Sequence, residues 1–189
     1  METESVAKQH SDPGHRFDPL FQAHYDAIYR YCARRLGVSE AEDAAADVFA
    51  VAWRRLDDIP DGSDRAWLFG VAYRLIGNRY RSRRRQIGLA ARLRAVPGGA
   101  VASGPDPDQT RDEEVDLLLR ALDQLSPVDR ELLRLSAWDG LDRGEIALVL
   151  GISENAVDQR LHRARSRLKT RFSRLQSALS SIEPKEAST

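Results

Sequence analysis

The chain has 189 residues and is 42% hydrophobic, enough for one average domain or two small ones, which excludes disorder throughout. Its 29 basic and 29 acidic residues cancel in sum but are segregated along the chain. Nine arginines and no acid fall between Arg65 and Arg94, six arginines plus Lys169 and no acid between Arg160 and Arg174, and six acids against one arginine between Pro105 and Asp116. Two cationic stretches split by an anionic one imply two separate polyanion-facing surfaces rather than one uniformly basic protein.

Residues 1–16 mix charge with Ser, Pro and Gly without periodicity and read as a flexible tail. A helix is expected from Asp18-Pro19, a cap followed by a first-turn proline, with Phe17, Phe21, Tyr25, Ile28, Cys32 and Leu36 on one face and Gly37 ending it. Cys32, the single cysteine, sits on that face and reads as a core thiol; alone it forms neither an intrachain disulfide nor a thiolate zinc site. Ser39 with Glu42 has capping-box spacing for a second helix that buries Ala45, Val48 or Phe49, Ala52 and Leu56. An acidic turn, 57–62, leads to a third helix from near Ser63. It carries Trp67, Val71 and Leu75 on one side and ends in an arginine-rich run from Asn78 to Arg85.

PGGAVASGPDP, residues 97–107, has linker composition. Helical periodicity resumes with Val115, Leu118 or Leu119, Leu122 and Leu125. Ser126-Pro127 opens the next helix, with Leu132, Leu133 and Trp138, which ends at Gly140. Asp142 with Glu145 forms a second capping box, and Ser153 caps a last long helix. The pattern predicts an all-α chain of two small helical domains. The divisions are a tail (1–16), a helical bundle (17–94), a flexible linker (95–113), a helix-turn-helix domain (114–175) and a C-terminal tail (176–189). No run approaches the ~18 to 20 apolar residues of a membrane span, and the polar N-terminus lacks a signal-peptide core, so a cytoplasmic protein with no membrane insertion is expected.

Two helices crossing at a short turn need a small residue at the contact, a glycine at the turn and a branched apolar residue under the second helix. Ala147, Gly151 and Val157 meet those demands, and Val157, Leu161, Ala164 and Leu168 form the buried stripe of the last helix. Its opposite face presents Glu154, Asn155, Asp158, Gln159, His162 and Arg163, placed to reach base edges of duplex DNA. A solvated arginine-rich face is the plainer alternative, and the absence of acids at i,i+4 spacing argues against it. Asp158 either accepts a hydrogen bond from a cytosine amino group or lies off the groove.

The first basic region interleaves arginine with Trp67, Phe69, Tyr73 and Tyr80, a mixture suited to single-stranded DNA, whose bases stack on rings. Trp67 reads rather as core, while Tyr73 and Tyr80 are open to either role.

From about Phe17 to Phe172 the chain resembles bacterial RNA polymerase sigma factors of the sigma-70 family, extracytoplasmic-function group. The stretches that carry the resemblance are EAEDAAADVFAVAWRRLDDI, DRAWLFGVAYRLIGNRYRSRRR and LDQLSPVDRELLRLSAWDGLDRGEIALVLGISENAVDQRLHRARSRLK. The resemblance implies that Asp43, Asp47, Val48, Phe49 and Arg54 bind core RNA polymerase. It implies that the 57–64 loop, with Asp61 and Ser63, and the face bearing Arg74, Asn78, Arg79, Tyr80, Arg81, Arg83 and Arg84 capture the single-stranded -10 element. It implies that Asn155, Asp158, Gln159, His162 and Arg163, supported by Arg160 and Arg165, read the -35 duplex, and that an anti-sigma factor regulates the protein. Family members usually carry Gln at position 46 and Asn at 74, where this chain has Ala46 and Arg74. They commonly carry Lys or Arg at 158 and Ser at 159, so Asp158 and Gln159 imply an unusual -35 preference.

A specificity subunit works by binding, with no enzyme activity, cofactor or metal expected. No G-x-x-x-x-G-K phosphate loop is present, and the four histidines show no metal spacing. Two other readings compete on the residues alone. A dimeric activator with a helical sensor domain would leave the arginine-aromatic face unexplained, and a recombinase-like enzyme would need a nucleophile or carboxylate triad that so small a bundle could not enclose.

Overall fold

The computed structural model of the protein describes residues 13–94 and 113–180. Among these residues every regular element is helical, and the chain divides into two compact units, Met1–Pro105 and Asp106–Thr189. Of the expected linker, only Glu113 falls within the described residues, where it begins a helix.

The first unit contains α1 (Pro13–Leu36), α2 (Val38–Arg54), a 3-10 turn (Leu56–Asp58) and α3 (Asp64–Arg94). Gly37 alone joins α1 to α2, with φ of 89° and its N–H donating to Ala33 O at 2.9 Å. A left-handed residue reverses the chain within one position, which is a task for glycine. The reversal lays α2 along α1, where Ala41, Ala44, Ala45 and Ala52 let the helices approach closely around Ile28, Cys32, Val48 and Phe49. α3 closes the core with Ala66, Phe69, Ala72 and Ile76, flanked by Leu68 and Val71. Each fully buried side chain of the size of Val48 or Ile28 stabilises the unit by ~1.5–3 kcal/mol. Cys32 is buried in this core, as its place on the α1 stripe predicts.

Three local expectations are corrected. α1 begins at Pro13, so Pro13–Arg16 are helical rather than tail and Pro19 lies inside the helix. Interior proline removes a helix hydrogen bond at a cost of ~3 kcal/mol. Tertiary contacts on the same segment offset it: Phe17 meets Trp53 edge-on at 5.0 Å, and Arg16 donates to Ile59 O at 3.1 Å. The Ser39–Glu42 capping box does not form, because the one-residue connection starts α2 at Val38 with Gly37 in the cap position. On α3 the core face is shifted from the expected stripe, leaving Trp67 and Leu75 half-buried at its edge.

The second unit contains α4 (Glu113–Asp123), α5 (Pro127–Ala137), α6 (Arg143–Leu150) and α7 (Glu154–Ser180). Ser126 Oγ accepts from Asp129 N at 3.1 Å, and Asp142 and Glu145 form a reciprocal capping box. Ser153 Oγ accepts from Ala156 N at 3.3 Å. α5 stops at Ala137, before the expected Gly140, and Trp138 stands 40% exposed with Arg134 over its ring. α7 runs 27 residues, past the expected start of the C-terminal tail at 176. At 1.5 Å per residue it is about 40 Å long. It packs against α4, α5 and α6, so one helix organises the whole unit.

Candidate nucleic-acid interface

The helix-turn-helix comprises α6, the turn 151–153 and α7. Gly151 has φ of 65°, and Ile152 N donates to Ala147 O at 3.1 Å, a left-handed helix stop that turns the chain sharply. Ala147 is buried at the crossing, with Ile146, Val157, Leu161 and Ala164 beneath it. The fixed crossing leaves Asn155, Asp158, Gln159, His162, Arg163 and Arg165 exposed on α7. Arg160 is half-buried at one margin. Arg163 Nε donates to Gln159 O at 3.2 Å, which lays its guanidinium along the helix. At the opposite margin Asp158 meets Arg143 of α6: Nη1 lies 3.4 Å from Asp158 Oδ2, and Nε lies 3.0 Å from Glu154 Oε2.

Farther along α7, Arg167 donates to Asp129 Oδ2 at 2.6 Å and Arg171 to Gln124 at 3.4 Å. The basic run is therefore not uniformly free. Arg167 braces α7 against α5 and Arg171 braces it against the residue that follows α4, and for Arg167 an acid distant in sequence supplies what the i,i+4 positions lack.

On α3 the predicted single-strand residues separate into two faces. Arg79 and Arg83 continue the core-facing line of Ala72 and Ile76, where Arg79 pairs with Asp47 at 2.6 Å and Arg83 with Glu40. Arg74, Asn78 and Arg81 lie on the outer face at spacings of 4 and 3, and Arg81 donates to Asn78. Arg74 folds back over its own helix, where a Cβ at Gly70 would stand 3.4 Å from its Nη1. Arg84 is exposed between the two faces. Tyr80 is 38% exposed, and its hydroxyl donates to Arg35 O, so the ring is anchored as well as accessible. Arg35 is itself buried, with its guanidinium 3.5 Å from the Tyr31 ring centre.

The 57–64 loop is held at its base. Arg16 donates to Ile59 O at 3.1 Å and lies 3.7 and 3.6 Å from the carboxylates of Asp57 and Asp61. Gly62 has φ of 73°, and Trp67 N donates to Ser63 O at 2.9 Å, making Ser63 the residue from which α3 departs.

The residues expected to bind polymerase are not all surface residues. Asp43, Asp47 and Arg54 are exposed on α2, but Val48 and Phe49 are 0% and 3% exposed and belong to the core. Helical periodicity turns both inward, so in this structure their side chains pack beneath the exposed face of α2 rather than on it. Beside them, Phe17, Phe21, Tyr25, Phe49 and Trp53 form a ring cluster in which Phe21 is 37% and Trp53 49% exposed.

Comparison with known proteins decides the family. Residues 20–86 match the family model for sigma-70 region 2, and residues 116–168 match that for sigma-70 region 4. The chain belongs to the extracytoplasmic-function group of the sigma-70 family. It is 35% identical over 161 residues to the RNA polymerase sigma factor CnrH of Cupriavidus metallidurans, covering 80% of this chain and 84% of that protein. It is 35% identical over 154 residues to the ECF RNA polymerase sigma factor SigL of Mycobacterium tuberculosis, covering 77% and 82%. Among solved structures it is similar to CnrH in complex with the cytosolic domain of CnrY, with a TM-score of 0.54, 30% identity and 89% of each chain covered. It is also similar to the sigma factor RpoE in complex with the anti-sigma factor NepR from Bartonella quintana, with a TM-score of 0.59, 25% identity and 83% and 96% covered.

For this sigma factor the residues missed from sequence are Arg143 and Arg16. Arg143 follows the α6 cap directly, on the side where a helix-turn-helix brings its two helix starts together. Arg85, the last residue of the expected arginine-rich run, extends the outer line of Arg74, Asn78 and Arg81 by one more step of 4 and is exposed. Arg16 had no local signal, because its partners lie more than forty residues away.

Proposed function

We propose that this sigma factor holds promoters at two places, with residues 17–94 acting on core RNA polymerase and the -10 element and residues 114–175 reading the -35 duplex. The observation that carries the reading is the presence of two separate cationic faces on the two units matched to regions 2 and 4: the outer arginine line of α3 and the exposed face of α7. On α3, Arg74, Arg81, Arg84 and Arg85 draw the backbone of a displaced strand, while Tyr80 and the 57–64 loop receive its unstacked bases. On α7, Asn155, Gln159, His162 and Arg163 reach base edges in the major groove, and Arg165 neutralises phosphate with Arg160 beside it.

Asp43, Asp47 and Arg54 engage core polymerase together with the exposed rims of Phe21 and Trp53. An aromatic cluster at a half-exposed surface supplies the packed centre of an interface, and the flanking charges set its register. The protein acts by binding free energy alone, in the cytoplasm where polymerase works. An anti-sigma factor that covers these surfaces regulates it, a reading supported by the similar sigma factor RpoE, whose structure is a complex with the anti-sigma factor NepR.

The test is transcription in vitro with core polymerase on a promoter library, with and without the protein. Promoters that fire only when it is present, sharing both a -35 and a -10 sequence, are the expected result. A library in which no promoter depends on it overturns the reading.

A further inference from the structure

Asp158 is a carboxylate on a surface that otherwise attracts phosphate, and left alone it would be repelled by the DNA backbone. The structure gives it a partner. Arg143, the first residue of α6, stands between Glu154 and Asp158 of α7, with Nε 3.0 Å from Glu154 Oε2 and Nη1 3.4 Å from Asp158 Oδ2. Asp142 and Glu145 close the same helix start with their capping box, so Arg143 is the cation of a small acidic group at the rim of the recognition face. All three members of the bridge are more than half exposed, with side-chain exposures of 64%, 55% and 52%. An ion pair so exposed does little for stability. Its physical consequence is orientation: the guanidinium fixes Oδ2 and offsets the charge of Asp158, while Oδ1 has no hydrogen-bond donor among the described residues.

We propose that Arg143 is a positioning residue for promoter choice, holding Asp158 so that its second oxygen accepts from the exocyclic amino group of one base in the -35 element. An ionised carboxylate only accepts, so it favours the amino-bearing edges of cytosine or adenine over the carbonyl edges of guanine and thymine. The proposal rests on the reading of α7 as the -35 helix. Arg143 does not itself touch the base. The guanidinium has five donors in a planar fork, so it engages two carboxylates in a fixed geometry that the flexible ammonium of a lysine reproduces only in part.

The experiment is transcription in vitro with core polymerase on a library randomised across the -35 element, comparing the unchanged protein with R143A, R143K, D158A and the R143A/D158A double variant. The unchanged protein should prefer an amino-bearing base at one position. R143A and D158A should each reduce that preference by about five- to tenfold at that position alone, the scale of one lost base contact. The double variant should match D158A, and R143K should recover part of the preference. A melting midpoint within about a degree of the unchanged protein is expected for R143A, since surface changes have small effects.

The proposal is overturned if R143A lowers output equally on every promoter and flattens the salt dependence, which is the signature of a phosphate contact. It is also overturned if R143A leaves the D158A-sensitive position untouched. Absence of any -35 preference in the unchanged protein would overturn the underlying -35 reading instead, so the two failures are distinguishable.

Discussion

Arg167 of α7 donates to the Asp129 carboxylate at 2.6 Å, and the Asp129 side chain is only 12% exposed. An arginine from the most basic stretch of the chain is thereby committed to holding its own fold. Removing it leaves a largely buried carboxylate without its strongest donor. Arg167→Ala should lower the stability of the second unit by about 1–2 kcal/mol, discounted for the exposed arginine end. Urea unfolding should show the loss while -35 duplex affinity, measured below the transition, changes little. Arg163→Ala should do the reverse, and equal effects of the two variants on both measurements would refute the distinction.

The Tyr80 hydroxyl donates to the Arg35 carbonyl, while its ring remains partly exposed. Tyr80→Phe keeps the ring and deletes the hydrogen bond, so it should cost about 1 kcal/mol of stability with open-complex formation largely intact. Tyr80→Ala should also weaken capture of a -10 single strand by the holoenzyme, since a base-stacking ring contributes ~1–3 kcal/mol. If the two variants bind the strand equally well, the ring serves the fold alone.

Arg74, Arg81 and Arg85 share the outer face of α3, whereas Arg79 and Arg83 turn toward α2. Alanine at Arg81 or Arg85 should weaken holoenzyme binding to a fluorescent -10 oligonucleotide. Each should also reduce the slope of log affinity against log salt by about 0.7, as expected for one lost single-strand phosphate contact. An unchanged slope for both would remove the outer line from the strand path.

Gly151 has φ of 65°, and a Cβ built there meets nothing within 4 Å. The cost of Gly151→Ala is therefore backbone strain without a clash, about 1–2 kcal/mol. Gly151→Asn should cost less, because asparagine tolerates this conformation. Thermal melting of the three proteins should rank glycine first, asparagine second and alanine last.

Arg16 ties the carbonyl of Ile59 to α1. Arg16→Ala should speed hydrogen exchange of the amides of 57–63 and reduce discrimination at the -10 base received by that loop. No change in exchange would show that the loop is set by Gly62 and Ile59 burial instead.

What was legible in the sequence was local. The caps at Ser126, Asp142 with Glu145, and Ser153 each complete their hydrogen bonds within three residues, so the spacing contains the structure. Gly151, Val157, Leu161 and Ala164 were legible because helical period and turn chemistry agree. Ser39 with Glu42 had the same spacing and failed, because the connection before it is a single glycine that leaves no extended cap residue. Pairs that cross between helices were not legible: Arg143 with Asp158, Arg79 with Asp47, and Tyr80 with Arg35 are 15, 32 and 45 residues apart. The resemblance to sigma factors carries positions but not exposure: it places Val48 and Phe49 among the contact residues, whereas helical periodicity puts one or the other in the core and the structure buries both.

The 2.6 Å pairing of Arg79 with Asp47 carries a warning for anyone who maps this protein by alanine scanning. Asp47 is an expected polymerase contact and Arg79 an expected promoter contact, yet each is the other's partner. A defect at either position is therefore a compound reading that a single substitution cannot apportion. The double variant beside the two single ones, or the reversed pair Asp47→Arg with Arg79→Asp, separates what the two residues owe each other from what each owes to a partner molecule.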